Sequence, residues 1–242
     1  MVSDDPAKGL GLAGPGELLI SQIDALLGSP RRRLGLVSAY FVPMEAGVDA
    51  FTGLARSGVR VDILTNSLSA TDVPVVHSGY AKRREALLRA GVHLWELRGT
   101  GADRSIVGSG SAGSTGSPNV GGDAGGRGGA RGSATSLHAK TFTVDRERAF
   151  IGSFNFDPRS ARLNTELGFV IGSPELATHM NQAFDGAIPQ NAYEVRLSDR
   201  GDLYWIERRG DRLIRHDVEP GTTRLQRAFI RVASWLPIEW LL

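Results

Sequence analysis

Leu137-His138-Ala139-Lys140-Thr141-Phe142-Thr143-Val144, then Asp145-Arg146-Glu147-Arg148, then Ala149-Phe150-Ile151-Gly152-Ser153-Phe154-Asn155-Phe156-Asp157: this stretch decides both fold and chemistry. Residues 137–144 are rich in β-branched and aromatic side chains, which predicts a strand. The charged quartet predicts a turn and residues 149–153 a second short strand, so the whole is a β-hairpin. Side chains alternate faces along a strand. His138 and Lys140 therefore share a face roughly 7 Å apart, as do Ser153 and Asn155. In register, the four polar side chains converge on one pocket.

Such a set handles phosphate. A neutral imidazole is a competent nucleophile toward a phosphodiester, and a covalent phosphohistidine divides one hard displacement into two easier ones. Lys140 and Asn155 would hold the non-bridging oxygens and stabilise transition-state charge. Ser153 can donate one more hydrogen bond to the same oxygens. The second ring nitrogen of a nucleophilic His needs an acceptor, which fixes the tautomer. Glu166 is the candidate. It is expected mid-strand in Leu163-Asn164-Thr165-Glu166-Leu167-Gly168-Phe169-Val170-Ile171, where an unpaired carboxylate is costly. The leaving alcohol needs a proton from a second acid–base group. One copy of the pattern supplies only one His.

Written as H-x-K-x4-D-x6-G-S-x-N, the stretch resembles the HKD motif of the phospholipase D superfamily. Further segments resemble the bacterial cardiolipin synthase branch: Ser38-Ala39-Tyr40-Phe41-Val42-Pro43, Thr65-Asn66-Ser67-Leu68, residues 71–80, and Phe154-Asn155-Phe156-Asp157-Pro158-Arg159-Ser160. The closing Leu236-Pro237-Ile238-Glu239-Trp240-Leu241-Leu242 is similar to the tail of one subgroup. The resemblance implies that His138 is the phosphohistidine nucleophile or its partner acid–base. It further implies that Lys140 and Asn155 bind phosphate and that Glu166 orients the His. The motif Asp145 is implied to be structural more than chemical. Family members carry two such halves in one chain, with the site between them. Here His77, His93, His179 and His216 all lack a Lys two residues on, so the chain resembles the second half alone. Either it is a fragment, as its abrupt polar start suggests, or it pairs with another chain, for which a two-fold axis is the natural arrangement.

Composition fits one domain. The chain has 242 residues, 41% hydrophobic and 22% charged, long enough to bury a core and ordinary for a globular protein. Without cysteine, disulfides and thiolate metal sites are excluded. A net charge of +2 is too small to argue nucleic acid as a partner. The first residues are acidic and polar, with no signal-peptide pattern, and no apolar run is long enough to span a membrane. No cofactor or metal is expected, since Lys140 and Asn155 neutralise phosphate and no acidic ligand cluster stands out.

Elements alternate along the chain. Helices are expected at 17–27, 44–56 and 75–90, and strands at 34–40, 59–64 and 92–97. After the hairpin come the Glu166 strand, a helix over 174–187, two or three strands within 191–217, and a helix from 222. The alternation predicts an α/β layer structure, a mixed and largely parallel sheet flanked by helices. The catalytic domain is expected at 14–220. It includes a Gly/Ser-rich insertion at 99–135 whose composition suits a flexible solvated loop or a lid over His138.

Asn66, Asp72, His77 and Tyr80 follow a strand end, where α/β folds place ligands. They either contact a lipid head group or cap the loop and helix. Arg159 either meets an anionic phosphate or caps a turn. In the C-terminal segment 221–242, Arg224, Arg227 and Arg231 accompany Leu225, Phe229, Val232, Trp235, Ile238 and Trp240. This amphipathic helix either lies on an anionic membrane or docks on protein.

The expected function is a cardiolipin synthase-like phosphatidyltransferase acting on an anionic phospholipid, peripheral to the inner face of the cytoplasmic membrane. A second HKD half or a homodimer completes the site. One alternative is a homodimeric phosphodiesterase or nuclease. Nucleic acid is disfavoured, because the arginines gather beside Trp and Leu and not in a basic groove with stacking aromatics. The other alternative is an inactive half that binds lipid or a partner chain.

Overall fold

The computed structural model describes residues 1–99 and 137–235. The expected insertion, apart from Gly99, and residues 236–242 lie outside them. Strand β1 (Val2–Ser3) leads through short 3-10 turns to α1 (Leu19–Leu27). Then follow β2 (Arg33–Ser38), α2 (Glu45–Arg56), β3 (Arg60–Asn66), α3 (Pro74–Ala81), α4 (Arg84–Arg89) and β4 (His93–Leu97). The hairpin is β5 (Lys140–Val144) and β6 (Arg148–Gly152), followed by α5 (Pro158–Arg162) and β7 (Leu167–Gly172). The remainder is α6 (Pro174–Asp185), α7 (Ala187–Asn191), β8 (Ala192–Leu197), β9 (Leu203–Arg209), β10 (Arg212–His216) and α8 (Arg224–Trp235).

The strands make one mixed ten-stranded sheet in the order β1-β7-β6-β5-β2-β3-β4-β8-β9-β10. The expectation of a largely parallel sheet needs correction. Only β2–β3 and β3–β4 pair parallel, while the other seven pairings are antiparallel. Helical crossovers between β2, β3 and β4 impose parallel pairing, whereas the tight connections within β5–β6 and β8–β9–β10 impose antiparallel pairing. The N-terminal boundary at 14 also falls short, because β1 pairs with β7 and is part of the sheet.

Alternation along β3 distributes apolar residues to both faces. Val61 and Ile63 join the larger core with Leu34, Leu36, Phe142, Leu19 and Phe51, and Leu64 joins the smaller one with Leu97, Leu137, Phe184 and Ile188. Phe142 and Phe150 stack at 4.5 Å beside the facing pair Gly152 and Gly168. A Cβ at Gly152 would meet the Phe150 ring at 2.6 Å, so glycine is required there. The single helix expected at 75–90 is two helices, and the break turns Arg84 inward to 3% exposure. Among the described residues, no helix is long and apolar enough to cross a membrane.

Candidate active site

Strand direction brings the motif together. The C-terminal ends of β2, β3 and β6 lie at the same end of the sheet as the N-terminal ends of the antiparallel β5 and β7. That end carries Asn66 as the last residue of β3, Tyr40, Ser153 and Asn155 just past strand ends, and His138, Lys140 and Glu166 at strand entries. It is where open α/β sheets place ligands.

His138 is exposed and lies two residues before β5, not within the strand as expected, because the β2 ladder ends at the pair Ser38–Lys140. Lys140 is half-buried and donates from Nζ to the His138 carbonyl at 2.9 Å. Burial lowers the Lys140 pKa, and the nearby carboxylates of Glu166, Asp157 and Asp72 oppose that shift. These three carboxylates favour the charged ammonium of Lys140. A groove of about 600 Å3 runs from His138 and Lys140 between β5 and α6, with Val37, Phe142, Met180 and Phe184 in its walls.

Glu166 lies at the entry to β7, 7% exposed, and not mid-strand. Its carboxylate accepts from the Ser153 hydroxyl on one oxygen and from Ser160 Oγ on the other at 2.9 Å. The expected donation from Ser153 to phosphate is therefore replaced by donation to Glu166, since a hydroxyl has one proton. Nor does Glu166 hold the His138 ring in this arrangement; the two serines occupy it. Asp4 fixes the Glu166 backbone through Oδ2, which accepts from Glu166 N at 2.9 Å and pairs with Lys8 Nζ at 2.6 Å. Asn155 is 7% exposed, with Oδ1 accepting from Tyr40 N at 3.3 Å. Next to it, burial pushes the Asp157 carboxyl up, the Ser160 and Arg159 amides pull it down, and Glu166 adds to the rise.

The residues expected at a head group have other partners. Asn66 bonds to backbone atoms of Ala39 and Leu137. His77 Nε2 lies 2.8 Å from Glu219 Oε1, and Tyr80 donates to Glu96 Oε1 at 3.1 Å. Arg84 completes this buried network with ion pairs of 3.0 Å to Glu96 and 2.6 Å to Glu219. Burial pushes the Glu219 carboxyl up, but Arg84 and His77 outweigh it and hold the carboxyl well below its usual range. His77 and Tyr80 thus fasten α3 to β4 and to the segment before α8. Arg159 is exposed on α5, beside Asp157.

Asp145 is not brought to the site. It lies past the far end of β5, about 23 Å from His138 at ~3.3 Å per residue. Its carboxylate accepts from the backbone amides of Arg31 (2.9 Å), Arg32 (2.7 Å) and Arg33 (2.9 Å), tying the hairpin turn to the start of β2. Burial pushes its pKa up, but these three amides outweigh that and hold it below the usual range.

Three contributors escape sequence reasoning. Ser160 and Asp4 support Glu166, and Tyr40 reaches Asp72, donating to Oδ1 at 2.9 Å. Burial and that carboxylate push the Tyr40 pKa up to about 12. Of these, Ser160 and Tyr40 carried a signal, their places in the family-like segments 154–160 and 38–43, and Asp4 carried none.

The family model for the cardiolipin synthase PLD-like domain matches residues 23–188. Cardiolipin synthase C of Escherichia coli K12 is 44% identical over all of this chain, which covers 48% of that protein. Cardiolipin synthase of Staphylococcus aureus Mu50 is 27% identical over 75% of the chain and 29% of the relative. The chain thus spans about half or less of the length of these relatives. Among solved structures, phosphatidylserine synthase of Haemophilus influenzae matches with TM-score 0.53 and 16% identity, over 94% of this chain and 46% of that one. Nuc of Salmonella typhimurium, a phospholipase D family member, matches with TM-score 0.51 and 15% identity, over 76% of this chain and 94% of that one. These likenesses agree with the fold, and the match across residues 23–188 decides the family: the chain belongs to the cardiolipin synthase-type PLD-like domains of the phospholipase D superfamily.

Proposed function

We propose that this chain is a catalytic half of a phospholipase D-type phosphatidyltransferase that makes cardiolipin or a close relative. The observation that carries this reading is the convergence of His138, Lys140, Asn155, Ser153 and Glu166 at one end of the sheet. In the proposed reaction, an imidazole nitrogen of His138 attacks the phosphorus of a glycerophospholipid. The P–N bond forms as the bond to the leaving head-group alcohol breaks, and a second acid–base group supplies that alcohol with its proton. A second alcohol, such as the glycerol end of phosphatidylglycerol, then attacks the phosphorus, loses its proton to that group, and frees His138. Lys140 and the Asn155 amide hold the non-bridging oxygens. Glu166 has acceptor sites beyond those that the two serines use, so it can still receive the His138 N–H when substrate binds. Arg159 remains a candidate phosphate contact.

The second acid–base group comes from another HKD half or a second copy of the chain. The coverage of 48% of the E. coli relative supports a missing half. The apolar groove beside His138 suits the acyl-glycerol part of a lipid better than a nucleic acid backbone. Helix α8 supports work at a membrane surface. It buries Ile230 and Ala233 against the domain while Leu225, Phe229, Val232 and Trp235 stay exposed, flanked by Arg224 and Arg231. A second reading, a single-domain phosphodiesterase that dimerises, is favoured by the nearly complete overlap with Nuc, 94% of that chain.

The test is turnover of phosphatidylglycerol vesicles by the purified chain, alone and with the unmatched part of the E. coli relative, read by mass spectrometry. Cardiolipin formed by the wild type and not by His138→Ala is the expected result. Equal product from His138→Ala would overturn the reading, and product from the chain alone would favour the dimer.

A further inference from the structure

We propose that Asn66 is the residue that positions His138. His138 precedes the first ladder residue of its strand, Lys140, so sheet hydrogen bonds do not fix its backbone. The side chain of Asn66 holds Leu137, the neighbour of His138. Asn66 Nδ2 donates to the Leu137 carbonyl at 3.2 Å, and Asn66 Oδ1 accepts from Leu137 N at 2.9 Å. The two bonds close a ring that grips the peptide groups on both sides of Leu137. Asn66 Nδ2 also donates to the Ala39 carbonyl at 3.1 Å, and the next residue, Tyr40, gives its N–H to Asn155 Oδ1 at 3.3 Å. One amide therefore links the backbone that carries the imidazole to the backbone that holds Asn155.

The anchor is rigid. Asn66 and Leu137 are each 2% exposed, and the Leu137 side chain packs with Leu64, Trp95 and Leu97. Motion of the imidazole is thereby confined to rotations at residue 138 itself. The ring demands a donor and an acceptor on one short arm. Asp keeps the size but, when ionised, has no proton to donate; Gln is a methylene too long. Asn66 is buried beneath the site, so it acts through His138 and not on substrate. Displacing a reacting group by ~1 Å costs about 100-fold in rate.

The inference rests on His138 being the nucleophile proposed above, and its test separates the two. The Leu137 amide and the His138 ring are followed by NMR, with hydrogen exchange, in the full chain and in Asn66→Asp. Turnover is measured in parallel in the reconstituted system. Expected are a protected Leu137 amide and a single His138 environment in the wild type. In Asn66→Asp the Leu137 N–H keeps an acceptor and its protection, while the Leu137 and Ala39 carbonyls lose their donor, so an averaged His138 resonance and about 100-fold lower kcat with little change in KM are expected. A wild-type Leu137 amide that exchanges as freely as an unbonded one overturns the proposal, whether or not the variant folds. So does a folded Asn66→Asp with an unchanged His138 resonance, or with unchanged kcat. If the wild type turns over no lipid while the NMR changes appear as expected, the transfer reading fails and the positioning role stands.

Discussion

Ser160 donates to Oε1 of Glu166 at 2.9 Å, from the helix that follows the Asn155 segment to the entry of β7. With Ser153 on the other oxygen, this holds a buried carboxylate in place before any substrate arrives. Ser160→Ala removes a hydrogen bond to a buried charge and is expected to cost about 2 kcal/mol of stability. The check is a thermal melt. Turnover of the folded variant should fall if, as proposed, Glu166 receives the His138 N–H when substrate binds, because a loosened carboxylate would do so less well.

Asp145 is expected to behave as a structural residue. Asp145→Ala strips three backbone amides of their acceptor and should destabilise by about 2 kcal/mol, with kcat per folded molecule unchanged. The Asp145 pKa is held below its unfolded value, so its stabilising effect is complete above that value, about 4, and fades as pH falls through the folded one. Denaturant melts of wild type and variant should therefore converge as pH drops below ~4. A difference that holds constant down to low pH would exclude this role for the carboxylate.

Lys140→Arg tests the phosphate site by shape. The ammonium is half-buried near Glu166, Asp157 and Asp72, and a planar fork does not replace a compact ammonium in a fitted phosphate site. Turnover should fall about 100-fold with the melting temperature nearly unchanged. Near-normal rates would make Lys140 a surface charge.

Helix α8 separates membrane binding from folding. Phe229 is exposed and Ile230 buried, one residue apart. Phe229→Ser should weaken binding to phosphatidylglycerol vesicles roughly tenfold, the loss of one buried aromatic, and leave the melt alone. Ile230→Ser should instead lower the melting temperature. Vesicle co-sedimentation that Phe229→Ser does not change would mean that the exposed face meets something other than lipid.

The local part of the site was legible because it depends on short-range rules. Strand alternation, the turn at 145–148 and the spacing from His138 to Asn155 all lie within twenty residues. What escaped depends on distant partners. That His138 lies outside the ladder follows from where β2 ends, and the pattern around His138 does not encode it. Asp4 reads as part of a polar start, yet it ends up 3% exposed between Lys8 and Glu166. The antiparallel majority of pairings arises after residue 140, where helical crossovers give way to hairpins. One signal went unused. Glu96 stands among apolar neighbours as Glu166 does, and the same reasoning places it in the buried Arg84 network.

In the proposed reaction His138 carries the phosphatidyl group. The direct measurement is peptide mass spectrometry of the reconstituted protein, quenched in base during turnover of phosphatidylglycerol vesicles, where a P–N bond survives. A phosphatidyl-derived adduct on the peptide holding His138, absent from His138→Ala, is the result expected. Cardiolipin accumulating with no adduct at His138, or accumulating equally in His138→Ala, would exclude His138 as the nucleophile.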